Sequence, residues 1–284
     1  MKKNEIEEVI NNHFKVIDRL FHKIIVEFET EDIQQFRSEV KKLRSFLHML
    51  DMEPSDRIPF KIPKKLKTFY GYMGIIRNLQ LQSKRVNIYL ENSTTHIPVS
   101  YLETLNKEIE DWKKNAIVLM NPDNNFYDDE KQIIEVIPDK LRKKSIRKFI
   151  QYILFELQKL IIRLDDGEAL HSTRKLLKDV LYNWIFINEF IDSLPIGLSK
   201  EEETRSYIEM LGHFRDKCIA LVLLQTYYSD SMGNDEKKIL QQIELNWQQE
   251  KQDLRKMIYD KLSLVQLAPK KFQSANLILD TGCD

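Results

Sequence analysis

Two stretches of the chain, roughly 137 residues apart, carry nearly the same pattern of basic residues in the same order. The first reads Gln34-x-x-Arg37-x-x-x-Lys41-Lys42-Leu43-Arg44 and is followed by Gly74-x-x-Arg77-Asn78. The second reads His171-x-x-Arg174-Lys175-x-x-Lys178 and is followed by Gly212-x-x-Arg215-Asp216. In both copies the two arginines lie about 40 residues apart. A paired match of this kind indicates an internal duplication, and so a fold made of two similar parts.

Composition favours helices. The 284 residues, 42% of them apolar, can bury one large core or two ordinary ones. Only seven glycines and eight prolines stand against abundant Leu, Ile, Lys, Glu and Gln, which is typical of long helices and not of a sandwich or barrel. Two cysteines supply neither a disulfide framework nor a zinc spacing. With neither a signal-peptide core nor a run long enough to span a membrane, we expect a cytoplasmic protein.

Helical periodicity predicts eight helices, at 4–27, 31–51, 62–91, 99–118, 138–164, 167–193, 200–229 and 234–263. In the second of them an apolar seam steps along one face through Phe36, Val40, Leu43, Leu47 and Leu50. The corresponding seam of the sixth consists of Thr173, Leu177, Val180, Trp184 and Ile187. Both helices are therefore expected to bury a stripe against their neighbours.

The repeat and the helices together predict an all-α protein with two pseudo-twofold-related four-helix bundles of long antiparallel helices. The first half would cover 1–119, a connecting segment 120–137, the second half 138–264 and a C-terminal tail 265–284. The connecting segment is rich in Asn, Asp and Pro, which suits a loop with one short helical piece. Corresponding helices should face each other across the axis and leave a cleft between the halves.

The basic residues form a row beside the buried face. Arg37 follows Phe36, and Lys41 follows Val40, so each charge lies about 100° around the helix from the seam. The cations of such a row repel one another unless a negatively charged group lies between them. Arginine and lysine suit phosphate oxygens, and the sequence has no glycine-rich phosphate loop, so side chains would have to bind an anion. Alternatively, Arg37 and Arg174 make salt bridges to the acidic helices at 99–118 and 200–229.

The order and spacing of the four motifs resemble the CHAD domain, an α-helical domain named for its histidines, over about residues 5 to 263. The resemblance implies two helical bundles around a basic channel that binds inorganic polyphosphate, in a binding module that is not an enzyme and has no catalytic residues. Carried over to this sequence, the phosphate-binding residues would be Arg37, Lys41, Lys42, Arg44, Arg77, His171, Arg174, Lys175, Lys178 and Arg215. No cofactor or metal is expected.

Three positions depart from the family pattern. Gln34 stands where the first histidine is expected, Ser38 replaces an apolar residue, and Asn78 replaces an aspartate. The histidine that Gln34 replaces could become cationic. Its loss predicts a site with fewer cationic groups in the first half, with weaker binding or a shorter ligand.

Other functions have less support. The formal net charge is zero, with 44 basic and 44 acidic residues, which disfavours a nucleic-acid binder. Glu168-x-x-His171 matches one arm of a di-iron motif, but the second arm is missing from the sequence, so no metal site is predicted. The main alternative is a helical scaffold for a protein partner, with the basic rows in structural salt bridges. The sequence indicates no particular oligomeric state.

Overall fold

The computed structural model describes residues 1–54, 59–91, 97–120, 126–161, 167–194, 197–229 and 231–263. Its α-helices are α1 (Lys3–Glu27), α2 (Thr30–Leu50), α3 (Lys64–Glu91), α4 (Val99–Leu119), α5 (Tyr127–Ile134), α6 (Lys143–Ile161), α7 (Gly167–Tyr182), α8 (Trp184–Ile187), α9 (Glu201–Thr226) and α10 (Asn234–Ser263). A 3₁₀ helix, Asn188–Ser193, follows α8. The all-α class is confirmed, since the β-type pairing within these ranges is one isolated bridge between Lys2 and Lys140.

The helices pack in the same way twice. In the first half α1 packs on α2, α2 on α3 and α3 on α4; in the second half α6 packs on α7, α7 on α9 and α9 on α10. The halves meet where α2 packs on α7 and α3 packs on α9. One continuous cluster of buried apolar side chains includes residues of both halves. The boundaries at 119 and 138 stay a prediction, and the tail at 265–284 lies outside the described residues.

The predicted seams are confirmed along α2, where Phe36 and its seam partners are almost fully buried. The Phe36 ring meets the Phe69 ring of α3 edge-on at 5.2 Å, and Phe69 in turn meets Phe21 of α1 at 5.2 Å. Burying an aromatic side chain of this size contributes about 1.5–3 kcal/mol. The three helices are thereby held together on the side of α2 that adjoins the basic row.

The connecting segment contains the expected short helix, α5. Its first residue is preceded by Phe126, whose buried ring meets Phe21 at 5.4 Å. The Phe126 backbone N–H donates to Asp18 Oδ1 at 3.1 Å. This end of the segment is therefore docked on α1 and belongs to the first half's core.

The helix predicted at 167–193 is not continuous, because α7 ends at Tyr182 and a turn at Asn183 leads into α8 and the 3₁₀ helix. Asn183 is fully buried and its side-chain amide donates to Ser45 Oγ at 2.8 Å and to the Asp179 carbonyl at 3.0 Å. The Asn183 backbone N–H donates to the same Asp179 carbonyl at 3.3 Å, so the side chain shares the acceptor of this last helical hydrogen bond. The same amide ties α7 to α2 across the two halves.

The helix predicted from residue 138 begins at Lys143. The Leu141 N–H donates to the Met1 carbonyl at 2.9 Å, and the Met1 amino group donates to the Leu141 carbonyl at 3.0 Å. Arg142 Nε then donates to the buried carboxylate of Glu53 at 2.8 Å. These long-range contacts hold the segment before α6 extended. Residues 162–164 of the predicted helix lie outside the described ranges.

Candidate functional site

Arg37 of α2 lies against the backbone of α3. Its Nη1 donates to the Tyr70 carbonyl at 2.5 Å, and its guanidinium carbon lies 4.1 Å from the centre of the Tyr70 ring. A Cβ at Gly74 would come within 2.8 Å of Arg37 Cζ, which is closer than carbon atoms approach. Gly74 is therefore required so that the Arg37 guanidinium can reach the Tyr70 carbonyl, which belongs to the helical backbone of α3.

Arg174 of α7 makes the equivalent contact with α9. Its Nε donates to the Ile208 carbonyl at 3.3 Å, and a Cβ at Gly212 would lie 3.1 Å from its Nη2. Ile208 precedes Gly212 by four residues, as Tyr70 precedes Gly74. The repeated pairing of an arginine with a later glycine is thus a packing rule: the glycine accommodates the arginine of the neighbouring helix. The glycine of each motif is the sequence signal for this contact, and sequence reasoning assigns it no role.

Five cations from the two halves converge between α2, α3 and α7, and we call them the central cluster. They are Arg37, Lys41, Arg77, Arg174 and Lys178. Burial, followed by the charges of Lys178, Arg37, Arg174 and Arg77, lowers the pKa of Lys41 to about 6. A lysine with this pKa is surrounded by positive charge in a partly dehydrated space. The two basic rows therefore face each other, since Lys41 and Lys178 belong to different copies of the repeat.

Lys178 has a similar environment with one compensating charge. Burial, then Arg174 and Arg77, lowers the pKa of Lys178 to about 8, and Asp216 opposes the shift. Asp216 itself lies 3.6 Å from Arg85 Nη2 of α3 in an ion pair that crosses the two halves. Among the described residues, no member of the central cluster forms an ion pair with a carboxylate.

The residue of the first half that corresponds to Asp216 is Asn78. A carboxylate at that position would place a second negative charge beside the cations, and Asn78 supplies none. The expectation of fewer cationic groups in the first half therefore covers only part of the charge difference. Gln34 removes a potential cation, while Asn78 removes an anion. The two departures act on the local charge in opposite directions.

Gln34 also orients a cation. Arg77 Nη2 donates to Gln34 Oε1 at 2.6 Å, which fixes the guanidinium at the edge of the central cluster. The Nε of Arg77 is buried and has no hydrogen-bond partner in the part of the chain that the structure describes. A buried donor without a partner is rare, and it is satisfied when an acceptor binds beside it.

His171 lies at the second-half end of the site, with Lys175 and Arg215. Burial and these two charges lower the pKa of His171 to about 4, although Glu168 opposes them. Its Nδ1 is buried and has no partner among the described residues. The His171 imidazole is therefore neutral near pH 7 in the free protein. The group of the site whose pKa lies closest to the range of pH 6 to 7, where an ordinary histidine titrates, is Lys41.

Two predicted residues lie outside both the central cluster and the group around His171. Lys42 donates to Glu39 at 2.9 Å, and Glu39 also contacts His13 at 2.7 Å. The charge of Lys42 is therefore already balanced by a carboxylate of the protein. Arg44 is exposed at the rim of α2, one turn beyond Lys41. The other eight predicted residues lie in the central cluster or in the group around His171.

Sequence reasoning overlooked the polar contacts that hold the halves together beside the site. The Tyr182 hydroxyl is hydrogen-bonded to Ser38, one of the three departures from the family pattern, across the α2–α7 contact. Arg85 was also overlooked, because neither motif includes it. Ser38 is the sequence feature that points to such a contact, because a hydroxyl in place of a buried apolar residue requires a polar partner.

The fold has a counterpart among solved structures. The chain is similar to the crystal structure of the CHAD domain from the plant Ricinus communis, with a TM-score of 0.55 and 17% sequence identity over 94% of this chain and 89% of that one. The chain therefore has a CHAD-like fold, as the motifs predicted. No family model matches the sequence. No curated protein matches it either.

Two kinds of feature are absent from the described ranges. No helix there combines the length and apolarity needed to cross a membrane. Nor do three or more His, Cys, Asp or Glu side chains come together there as a possible metal site.

Proposed function

We propose that this protein binds inorganic polyphosphate, or a similar chain of phosphates, in the central cluster without changing it chemically. The observation that carries the proposal is the convergence of Lys41 and Lys178, from opposite halves, in a partly buried space where neither has a carboxylate partner among the described residues. Like charges held this closely are unfavourable in the free protein. A bound polyanion would remove that repulsion.

Phosphate suits the donors that are present. Arg77 offers a buried Nε without a partner, and His171 offers a buried Nδ1 in the same condition. Arg37 and Arg174 use one nitrogen each on a helix carbonyl, which leaves the rest of each planar guanidinium for bidentate contacts with phosphate oxygens. Because the cations come from helices of both halves, an extended anion fits the site better than a compact one.

The scaffold alternative requires the basic rows to be paired within the protein. Of the ten predicted residues, Lys42 is the one that forms an ion pair with a carboxylate in the described ranges. A helical scaffold would therefore have to dock its partner elsewhere, and the unpaired charge at the α2–α7 contact would have no explanation.

Binding driven by charge should weaken steeply with salt. By analogy with single-stranded nucleic acids, five neutralised phosphates predict a loss of affinity of about 10³-fold between 50 and 500 mM salt. Isothermal titration calorimetry with polyphosphate at a series of salt concentrations measures the slope. An affinity that does not change over this range would contradict the proposal.

A double variant tests the residues. Lys41→Ala with Lys178→Ala should keep the helical circular dichroism and lose at least about tenfold in affinity. The matched control is Lys107→Ala with Lys256→Ala, which removes two exposed lysines from the outer helices α4 and α10. Equal affinities of the two variants would refute the assignment. Displacement of labelled polyphosphate by DNA at equal phosphate would instead indicate a nucleic-acid binder.

A further inference from the structure

A cavity of about 900 Å³ adjoins the central cluster on the side of the first half. Its walls come from α2, the segment before α3, the start of α3 and α5. We call it the lysine cavity, after its cationic lining residues Lys41, Arg44, Lys61, Lys64 and Lys67. No Asp or Glu of the described chain lines it. Its volume lies within the range of ordinary ligand sites.

The lysine cavity is continuous with the central cluster. Lys41 lines the cavity, and the charges that act on it include Lys178 and Arg174 of the second half. Tyr70 is also shared, because it lines the cavity while its carbonyl and ring hold Arg37. An anion bound between the halves can therefore extend past Lys41 into the cavity without leaving positively charged surroundings.

The cationic lining is selective and not a general property of this surface. Lys64 and Lys67 are three residues apart on α3 and share one face, whereas Lys65 turns away, with its Nζ 5.7 Å from the Phe126 ring centre. A neighbouring cavity of about 540 Å³ also includes Arg44, but carboxylates, among them Asp179, line it as well. The lysine cavity has a single sign of charge, and the neighbouring cavity does not.

The opposite end of the repeat carries the opposite charge. The start of α9 corresponds to the start of α3, and its first turn carries Glu201, Glu202 and Glu203, of which Glu201 pairs with Arg205 and Glu203 with Lys200. The first turn of α9 therefore has no pair of lysines to match Lys64 and Lys67 of α3. The two halves therefore differ at these helix starts: α3 begins with lysines that suit a phosphate chain, and α9 begins with glutamates.

We infer that the lysine cavity is a second segment of the anion site, and that the ligand is a phosphate chain long enough to reach from the central cluster past Lys41 into it. The inference rests on the proposed function and adds a preference for long chains over short ones. A short chain is satisfied by the central cluster, while a long chain gains the contacts with Lys61, Lys64 and Lys67.

The test compares tripolyphosphate with long-chain polyphosphate by calorimetry. The triple variant Lys61→Ala, Lys64→Ala and Lys67→Ala should bind the long chain at least about tenfold more weakly, with a salt slope smaller by about 2, and should bind tripolyphosphate as the wild type does. The lysines are exposed, so the fold should persist. Lys61→Ala alone, outside any helix, should cause a proportionate part of the loss.

The control is a triple variant that removes exposed lysines from the outer helices, Lys107→Ala, Lys114→Ala and Lys256→Ala. If both triple variants lose affinity equally, or if the cavity variant loses affinity equally for both ligands, the inference is wrong while the proposed function stands. If the wild type binds neither chain, the proposed function itself fails.

Discussion

Anion binding should be coupled to proton binding at Lys41. In the free protein, burial and the charges of Lys178, Arg37, Arg174 and Arg77 lower the pKa of Lys41 to about 6. A phosphate chain beside the ammonium group would raise that pKa again. Since the bound state holds the proton more tightly than the free state, affinity should rise as the pH falls, and it should level off below about pH 6.

The magnitude follows from the lowered pKa. At pH 7 a group with a pKa of about 6 is roughly 10% protonated, so binding should take up about 0.9 proton per site. Between about pH 5.5 and pH 7.5 the affinity should fall roughly 25-fold from this group alone. Lys178, with a pKa of about 8, should extend the decline to higher pH.

Calorimetry in buffers of different ionisation enthalpy measures the proton uptake directly. The control is Lys41→Arg, because an arginine remains charged across this range and should bind polyphosphate at pH 7 without taking up that proton. The ligand's own titration is common to both proteins, so their difference isolates Lys41. The same proton uptake in wild type and in Lys41→Arg would refute the reasoning.

Three other predictions concern stability and affinity. Lys41→Met should stabilise the free protein by about 1–3 kcal/mol in thermal unfolding, and the gain should shrink as the pH rises above about 6, because the lowered pKa makes the wild type itself more stable with rising pH. Gly74→Ala should displace Arg37, lower the free energy of unfolding by about 1–3 kcal/mol and weaken binding. Gly71→Ala, with open space around its Cβ, should instead stabilise α3 by about 0.5–1 kcal/mol. Similar effects of the two substitutions would contradict the proposed role of Gly74 in accommodating Arg37. Asp216→Asn, which copies the residue of the first half, should tighten binding about fivefold in calorimetry, and weaker binding would show that its ion pair with Arg85 matters more than its charge.

The helices of the repeat were predictable because they depend on local periodicity. The seam through Phe36 and Val40 is buried as expected, and α2 begins and ends within about a residue of its predicted bounds. The errors occur where distant residues decide the backbone. Asn183, at the turn that ends α7, is bonded to Ser45 of the other half, and Met1 is paired with Leu141 just before α6.

The candidate site was predictable in part for the same reason. One residue's rotation from a buried seam brings Arg37 and Lys41 to the rim of a cleft, and the repeat does the same for Arg174 and Lys178. The role of each basic residue was not predictable. Lys42 is neutralised by Glu39, which lies three residues before it, but the position of Glu39 beside His13 depends on the packing of α1.

The sequence alone determined that the chain is helical, that it is duplicated, and that each copy carries a basic row beside a buried stripe. These properties follow from the spacing of residues along a helix, which is the same wherever that helix packs. Only the tertiary structure decided that the rows face each other, that glycines hold Arg37 and Arg174 against helix carbonyls, and that Lys41 loses its proton readily. Those properties depend on distances between helices and on exclusion of water, which arise when the two halves pack together.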